Sequence, residues 1–262
     1  MLRALYTSAT GLAAQQFSLD VVANNLANAS TAGFKKMRAN FQDLVYQEMR
    51  QPGGQTGTNS VLPTGAQIGL GVSQGTTQAI YTQGTMQNTG GQYDLAIKGD
   101  GFFKVLLPDG TTAYTRNGSF AIDSTGKLVT SEGYEVQPPI SIPTTNTGIS
   151  ISTNGEVMVT VPGSNTPTQA GKLQITKFAN PAGMLALGGS LFQATNASGQ
   201  PIDSDPGTQG AGTLQYGSVE SSNVDIVEEM VQMIILQRAY DTNSKVIQSA
   251  DEMLTTTNGI KR

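Results

Sequence analysis

Asp203 and Asp205, with Pro206-Gly207 behind them, come nearest in this chain to a cation-binding loop. A calcium loop of that kind needs a bidentate glutamate at its twelfth position. That position is Leu214, so the two acids read as solvated linker residues. The other candidates fail similarly. Gly99-Asp-Gly101 lacks the third glycine of a dinucleotide fingerprint, and Gly126-Lys127 is followed by Leu128, not by the Ser or Thr of a phosphate loop. The sequence contains no His and no Cys. A Ser-His-Asp or Cys-His site, the common zinc sites and a disulfide framework therefore cannot be assembled. Two acids brought together by a β fold would suffice for glycoside hydrolysis, but nothing here singles out such a pair. The expectation is a protein without catalytic, cofactor or metal residues.

What remains is amide chemistry. Asn24, Asn25 and Asn28 precede Ala29-Ser-Thr-Ala-Gly33. Asparagine is a poor helix former but both donates and accepts hydrogen bonds. Asn24 and Asn28, four apart, share a helix face. They read either as the frayed end of a helix or as side chains that bond a neighbouring chain. Gly33 is free to take positive φ and end the turn.

The elements that must hold these amides lie at the two ends of the chain. Leu5, Leu12, Leu19 and Leu26 recur at a strict spacing of seven, beside a softer column of Leu2, Ala9, Gln16 and Ala23. A helix is expected from Leu2 to Asn28. At the other end Met233, Tyr240, Ile247 and Leu254 repeat the period beside Met230, Gln237, Ser244 and Asp251. Ser222 and Asp225 have the spacing of a capping box, and Asp225, Glu228 and Glu229 suit a helix N-terminus. No Gly or Pro follows until Gly259, so this helix would run about 50 Å. A sustained seven-residue period is a coiled-coil seam, which predicts that the first and last helices pair. That pairing leaves Val231, Ile235, Ala239, Val246 and Met253 uncovered. A private two-helix hairpin in a monomer and burial among many identical chains are the two outcomes, and the second accounts for the extra face.

Between the helices the signals change. Phe41 to Met49 suggests an extended or helical arm, and 51–60 is a Gly/Pro/polar stretch that composition alone makes a mobile linker. Ile68, Leu70 and Val72 then alternate with glycines as a strand would. From Tyr93 to Ala194, turn residues recur every ~8–12 positions, as in an all-β sandwich or barrel. Pro108-Asp-Gly110, Asn117-Gly118 and Ser124-Thr-Gly126 mark turns, and Asn154-Gly155 predicts a two-residue type I′ hairpin. A Gly-rich linker over 203–212 and a strand over 213–219 lead back to the last helix. The expected fold is α+β. Its segments are a helical domain (1–33 with 222–262), a linker region (34–92 with 203–221) and a β domain (93–202).

Only 13% of the 262 residues are charged, 6% are aromatic, and 31 are Gly, which suits an extended, loop-rich chain. The net charge of −4 argues against nucleic acid as a partner. No run approaches the ~20 apolar residues of a membrane span. Thr7, Ser8, Thr10, Gln15, Gln16, Ser18 and Asp20 interrupt the N-terminal apolar residues, so they form an amphipathic helix and not a secretory core. The expectation is a chain not inserted in a membrane and without a cleaved signal peptide.

Asp20-Val-Val-Ala-Asn-Asn-Leu-Ala-Asn-Ala-Ser-Thr-Ala-Gly-Phe-Lys-Lys36 resembles the N-terminal signature of the bacterial flagellar basal-body rod and hook family. Ser222-Asn-Val-Asp225, Glu229-Met-Val-Gln-Met-Ile234 and Gln237-Arg-Ala-Tyr-Asp-Thr-Asn-Ser-Lys245 are similar to that family's C-terminal signature, and Gly99-Asp-Gly-Phe-Phe103 also occurs in it. The block containing Gln51, Pro52, Leu62, Pro63 and Ile68 resembles the distal-rod branch more than the hook or proximal-rod branches. The resemblance implies a structural subunit that polymerises helically into a rigid hollow shaft spanning the periplasm, with no cofactor. The implied partners are many copies of itself, neighbouring rod and hook proteins, the surrounding ring (bushing) proteins, and exported flagellar proteins in transit. Delivery by the flagellar type III route is implied as well. The assembly residues would be the two apolar columns with Asn24, Asn25, Asn28 and Gly33. A coiled-coil homodimer carrying a β binding domain is the reading from a different class.

Overall fold

Helix α1 (Leu2–Ala27) ends one residue short of the expected boundary, where Thr31 N–H bonds back to the Asn28 carbonyl at 3.1 Å. A computed structural model describes every residue except Met1, Gly54, Thr58, Asn59, Leu62, Thr144, Asn146, Thr147, 163–165 and 261–262. The chain divides into two compact units. One holds 1–26, 37–78 and 225–262; the other holds 27–36 and 79–224. The hairpin region thus groups with the helices, and 203–221 groups with the β body, a different partition from the three segments expected.

In the first unit, α1 is followed by β1 (Met37–Asp43), β2 (Tyr46–Arg50), β3 (Gln55–Gly57), β4 (Ser60–Val61), β5 (Ala66–Gly69) and β6 (Val72–Ala79). β3 pairs β4, β2 pairs β5 and β1 pairs β6, so 37–79 is one long hairpin. Composition alone points to a mobile linker over 51–60; Gly54, Thr58 and Asn59 of it lie outside the described residues, and Gln55–Gly57 pairs with Ser60–Val61. Tyr46 stands opposite Gly69 and its ring covers the missing side chain. The hairpin lies on α1. Thr10 Oγ1 accepts from the Val72 N–H at 3.4 Å, Gln74 donates to the Ala13 carbonyl at 3.2 Å, and Phe17 meets Phe41 edge to face.

Helix α2 (Ile226–Ile260) completes this unit. Asp225 is itself the N-cap: its Oδ1 accepts from the N–H groups of Val227 and Glu228 at 2.9 and 3.2 Å. Ser222 instead accepts from the Val224 N–H, so the expected capping box does not form. The two helices pair antiparallel. Asn25 reaches Glu229, and Gly11 faces Asn243, so fourteen residues down one helix match fourteen up the other. On α2 the covered residues are Glu229, Met233, Leu236, Ala239, Asn243, Ser244, Ile247, Ala250 and Leu254, so Ala239, expected on the uncovered face, is half-buried. The companion column therefore lies three residues after the apolar one, not three before it. Met230 and Asp251 of the expected column are exposed, because Met230 belongs to a separate outer stripe. On α1 the covered companions of the leucines are Ser8, Gln15 and Val22, while Ala9, Gln16 and Ala23 are exposed.

The second unit is built on a seven-stranded antiparallel sheet among the described residues. Its order is 120–122, 128–130, 135–137, 103–106, 112–115, 191–193 and 185–188. A three-stranded sheet (148–151, 156–160 and 168–172) accompanies it. Short antiparallel pairs join 95–98 to 213–216, 86–88 to 218–220, and 175–177 to 202–204. Adjacent residues on a strand point to opposite faces. Phe103 accordingly enters the main core with Leu95, Ile97, Val105, Leu173 and Ile175, while Phe102 joins a second cluster with Tyr114, Phe178 and Phe192.

The hairpin at Asn154-Gly155 is not of the two-residue kind. Ser152 N–H bonds Glu156 O and Gly155 N–H bonds Ser152 O, and only Gly155 takes positive φ, +84°. That is a three-residue loop with a bulge at the glycine. The same pair of bonds recurs at Leu107–Thr111, Asp123–Lys127 and Thr130–Tyr134, always with Gly at the left-handed position. Asn117-Gly118 forms no hairpin. Gly118 instead lets the backbone approach the Leu95 carbonyl, where a Cβ would have no room. The 203–212 stretch is not a free linker either. Asp203 bonds Lys104 Nζ at 2.9 Å and Thr176 Oγ1 at 2.5 Å, and Asp205 bonds Lys172 Nζ at 2.7 Å.

Candidate functional site

Glu220 ends the strand 218–220 just before the chain turns toward α2, and it is 1% exposed. Its Oε1 accepts from Lys35 Nζ at 2.7 Å and from the Gly84 N–H at 2.9 Å; its Oε2 accepts from Arg116 Nε at 2.5 Å. Lys35 and Arg116 are 3% and 5% exposed. Arg116 also donates to the carbonyls of Ile97 (3.1 Å), Gly99 (2.5 Å) and Gly101, and Lys35 donates to the Thr82 carbonyl at 2.9 Å. Burial alone would raise the Glu220 pKa. The Arg116 charge and the Lys35 ammonium outweigh it and hold the carboxyl below its ordinary value. Lys35 is lowered by burial, which exceeds the attraction of Glu220. One carboxylate thus ties the segment after α1, the β body and the segment before α2 into one joint.

Two neighbours close this joint. Gly33 has φ +71° and its N–H bonds the Glu220 carbonyl at 2.8 Å; a Cβ there would stand 2.6 Å from Asn117 N. Asn223 accepts from the Lys36 N–H at 2.7 Å and donates to the carbonyls of Ile80 (2.8 Å) and Thr82 (3.1 Å). One amide thereby clasps two separate passes of the chain.

The expected assembly residues fall into distinct groups. Asn25, 1% exposed, exchanges both amide bonds with the backbone of Met37 at 2.8 Å and donates to Glu229 at 3.1 Å. Its amide is used within the chain. Asn24 is exposed; Asn28 is half-buried and accepts from Thr31. Leu5, Leu12, Leu19, Leu26, Met233, Ile247 and Leu254 are half-buried, and Tyr240 is 39% exposed. Gln51, Pro52, Pro63 and Ile68 are exposed, while Leu62 lies outside the described residues. Lys35, Arg116, Glu220 and Asn223 carried no functional signal in the sequence beyond three of them lying in or beside the terminal signatures.

Apolar exposure is concentrated in the first unit. Of the large hydrophobic residues exposed among the described residues, all but Leu185, Leu187, Ile202 and Tyr216 belong to it. Val227, Met230, Val231, Ile234 and Ile235 form a stripe at helical spacing along α2, each at least 50% exposed. Val45, Tyr46, Met49 and Ile68 add to this on the hairpin. Contiguous apolar exposure of this kind marks an interaction surface. Among the described residues no cluster of three potential metal-ligating side chains occurs, and no helix is long and apolar enough to cross a membrane.

Residues 5–35 match the flagella basal body rod protein family, 96–159 the D1 domain of flagellar hook protein FlgE/F/G, and 215–260 the C-terminal region of flagellar basal body rod FlgEFG proteins. The chain is 51% identical to the flagellar basal-body rod protein FlgG of Borreliella burgdorferi over 100% of both chains. It is 49% identical to the protein of that name from Buchnera aphidicola subsp. Schizaphis graminum, over 97% of this chain and 98% of that one. The similarity to the flagellar hook protein FlgE of Helicobacter mustelae is partial: 44% identity over 52% of this chain and 30% of the other.

Proposed function

The chain belongs to the flagellar basal-body rod and hook family, and from that premise we propose that it is the structural subunit of the distal rod, not an enzyme. Many copies assemble with neighbouring rod and hook proteins in the basal body. The full-length similarity to rod proteins, against a half-length similarity to a hook protein, favours the rod branch.

The observation that carries the mechanism is the uncovered stripe on α2. An isolated helix pair has no means of burying Val227, Met230, Val231, Ile234 and Ile235. Full burial of such a side chain from the exposed state contributes ~1.5–3 kcal/mol, and these are half or more exposed, so covering the stripe with another copy supplies roughly half of that per residue toward association. A surface that binds a different surface on the next copy grows an open helix when the rotation does not close a ring. In this reading α1 and α2 pair as a coiled coil and pack with their equivalents into an inner tube. The hairpin 37–79 is the extended arm that interlocks copies, and the β body forms the outer wall. Ser18 and Gln248 supply a neutral polar lining for exported proteins in transit, whereas Gln15 is covered at the helix pair. Ring (bushing) proteins surround the β body, and the chain itself reaches the rod by the type III route.

Purified chain induced to polymerise and imaged by electron cryomicroscopy tests this. Straight hollow tubes with α2 stripes buried between copies are the expected result. A discrete dimer that does not grow on concentration would overturn it in favour of the zipper-like reading.

A further inference from the structure

The Gly99-Asp-Gly-Phe-Phe run has no role in assembly so far, yet it borders a cavity of about 260 Å³ in the second unit. Tyr81, Phe102 and Phe178 line the cavity, stacked edge to face with ring centres 5.7 and 5.9 Å apart. Such contacts hold an aromatic wall in a fixed shape. Gly101 takes φ +136° and leaves no room for a Cβ against Ile175, so the rim has one backbone path.

Charge is unevenly distributed around this space. Lys35, Arg116 and Lys177 all line it, the last also donating to the Gln209 and Gly210 carbonyls, neither of them charged, whereas Asp100 is the one carboxylate among its lining residues and is exposed. Behind the wall, Glu220 is shared by Lys35 and Arg116. One negative charge therefore serves two buried positive ones, and backbone carbonyls supply the rest of the compensation. An uncompensated buried charge is costly, and a further anion beside it lowers that cost.

We propose that this cavity is an anion-binding site that takes a carboxylate carried on an apolar body. The carboxylate sits with the cations and the apolar body against the aromatic wall. Burial pushes the Tyr81 phenol up to about 12, so it stays protonated and is able to donate to the anion. The group comes either from a small free carboxylate or from an acidic side chain of another copy of this chain. Only the second source rests on the assembly proposed above.

The test uses isotope-labelled full-length chain followed by amide NMR. Sodium benzoate and neutral benzamide, alike in shape, are the two probes. Benzoate is expected to shift the amides of 99–102 and Phe178 saturably, with benzamide leaving them in place. Lys177→Met should weaken benzoate binding by about tenfold, the loss of one charge-assisted hydrogen bond. Equal response to both probes, or none to benzoate, would overturn the site. A concentration series without probe identifies the source. Shifts at the same amides that rise with protein concentration and are suppressed by benzoate assign the anion to a second copy; concentration-independent amides assign it to a free carboxylate.

Discussion

Glu220 shows how much one side chain carries when its partners come from distant parts of the chain. Removing one member of a buried ion pair leaves the other charge unpaired, at a cost of about 3–5 kcal/mol. Glu220→Gln should therefore lose about that much stability in urea denaturation. The pH dependence has a defined sign. The folded-state pKa of Glu220 lies below its ordinary 4.5, so the unfolded chain takes up the proton first as acid is added. Its contribution is present above 4.5 and is lost as pH falls through the folded value. Urea midpoints should drop on that limb, and drop less in Glu220→Gln. Lys35, held below 10.5, works on the alkaline side: stability should rise as pH climbs through its folded value. Gly33→Ala, forced into a left-handed φ with a Cβ against Asn117, should cost about 1–3 kcal/mol, read from thermal unfolding. None of these roles was legible in the sequence. A buried charge has the same letter as a solvated one, and 185 residues separate Lys35 from Glu220. For the asparagines, type and location were legible, but only the fold says that Asn25 turns inward while Asn24 is exposed.

The elements were the most readable layer. Both terminal helices, the strand-rich middle and most glycine turns follow from period and turn chemistry alone. What the period cannot give is the phase of the second column. Met230 and Leu236 stand on either side of Met233 at three residues each, and both are apolar. Only the partner helix decides that Leu236 is covered. Asn-Gly at 154–155 suits both a two-residue loop and a bulged three-residue one, and only the register of the flanking strands selects the second. The exposed α2 stripe leads to a prediction at this scale. Val231→Lys combined with Ile234→Lys touches no covered position, so circular dichroism should be unchanged while growth, followed by sedimentation, is abolished. At the start of the same helix Asp225→Ala removes two capping bonds and should cost about 1 kcal/mol, measured in urea.

For the molecule as a whole, α+β and helical ends around a β middle were legible; the grouping of the hairpin with the helices was not. The Gly-rich 51–60 stretch carries no core-forming pattern, and the pairing of Gln55–Gly57 with Ser60–Val61 within it extends that of the flanking strands. In the assembly proposed here that hairpin supplies stiffness. A chain lacking 50–62 should still polymerise but give curved, bendable tubes in electron micrographs; equally straight tubes would remove the hairpin from that role.

Asn223 and Glu220 together have a mechanical corollary. The segment leaving α1, the return strand near Ile80 and the approach to α2 are all fastened at one cluster. A pull applied to either terminus is borne by the same handful of bonds, so the ends cannot be peeled away in turn. In optical-trap experiments on single chains both ends should let go of the β body in one rip, and loosening the cluster should lower that single force instead of splitting it into two events.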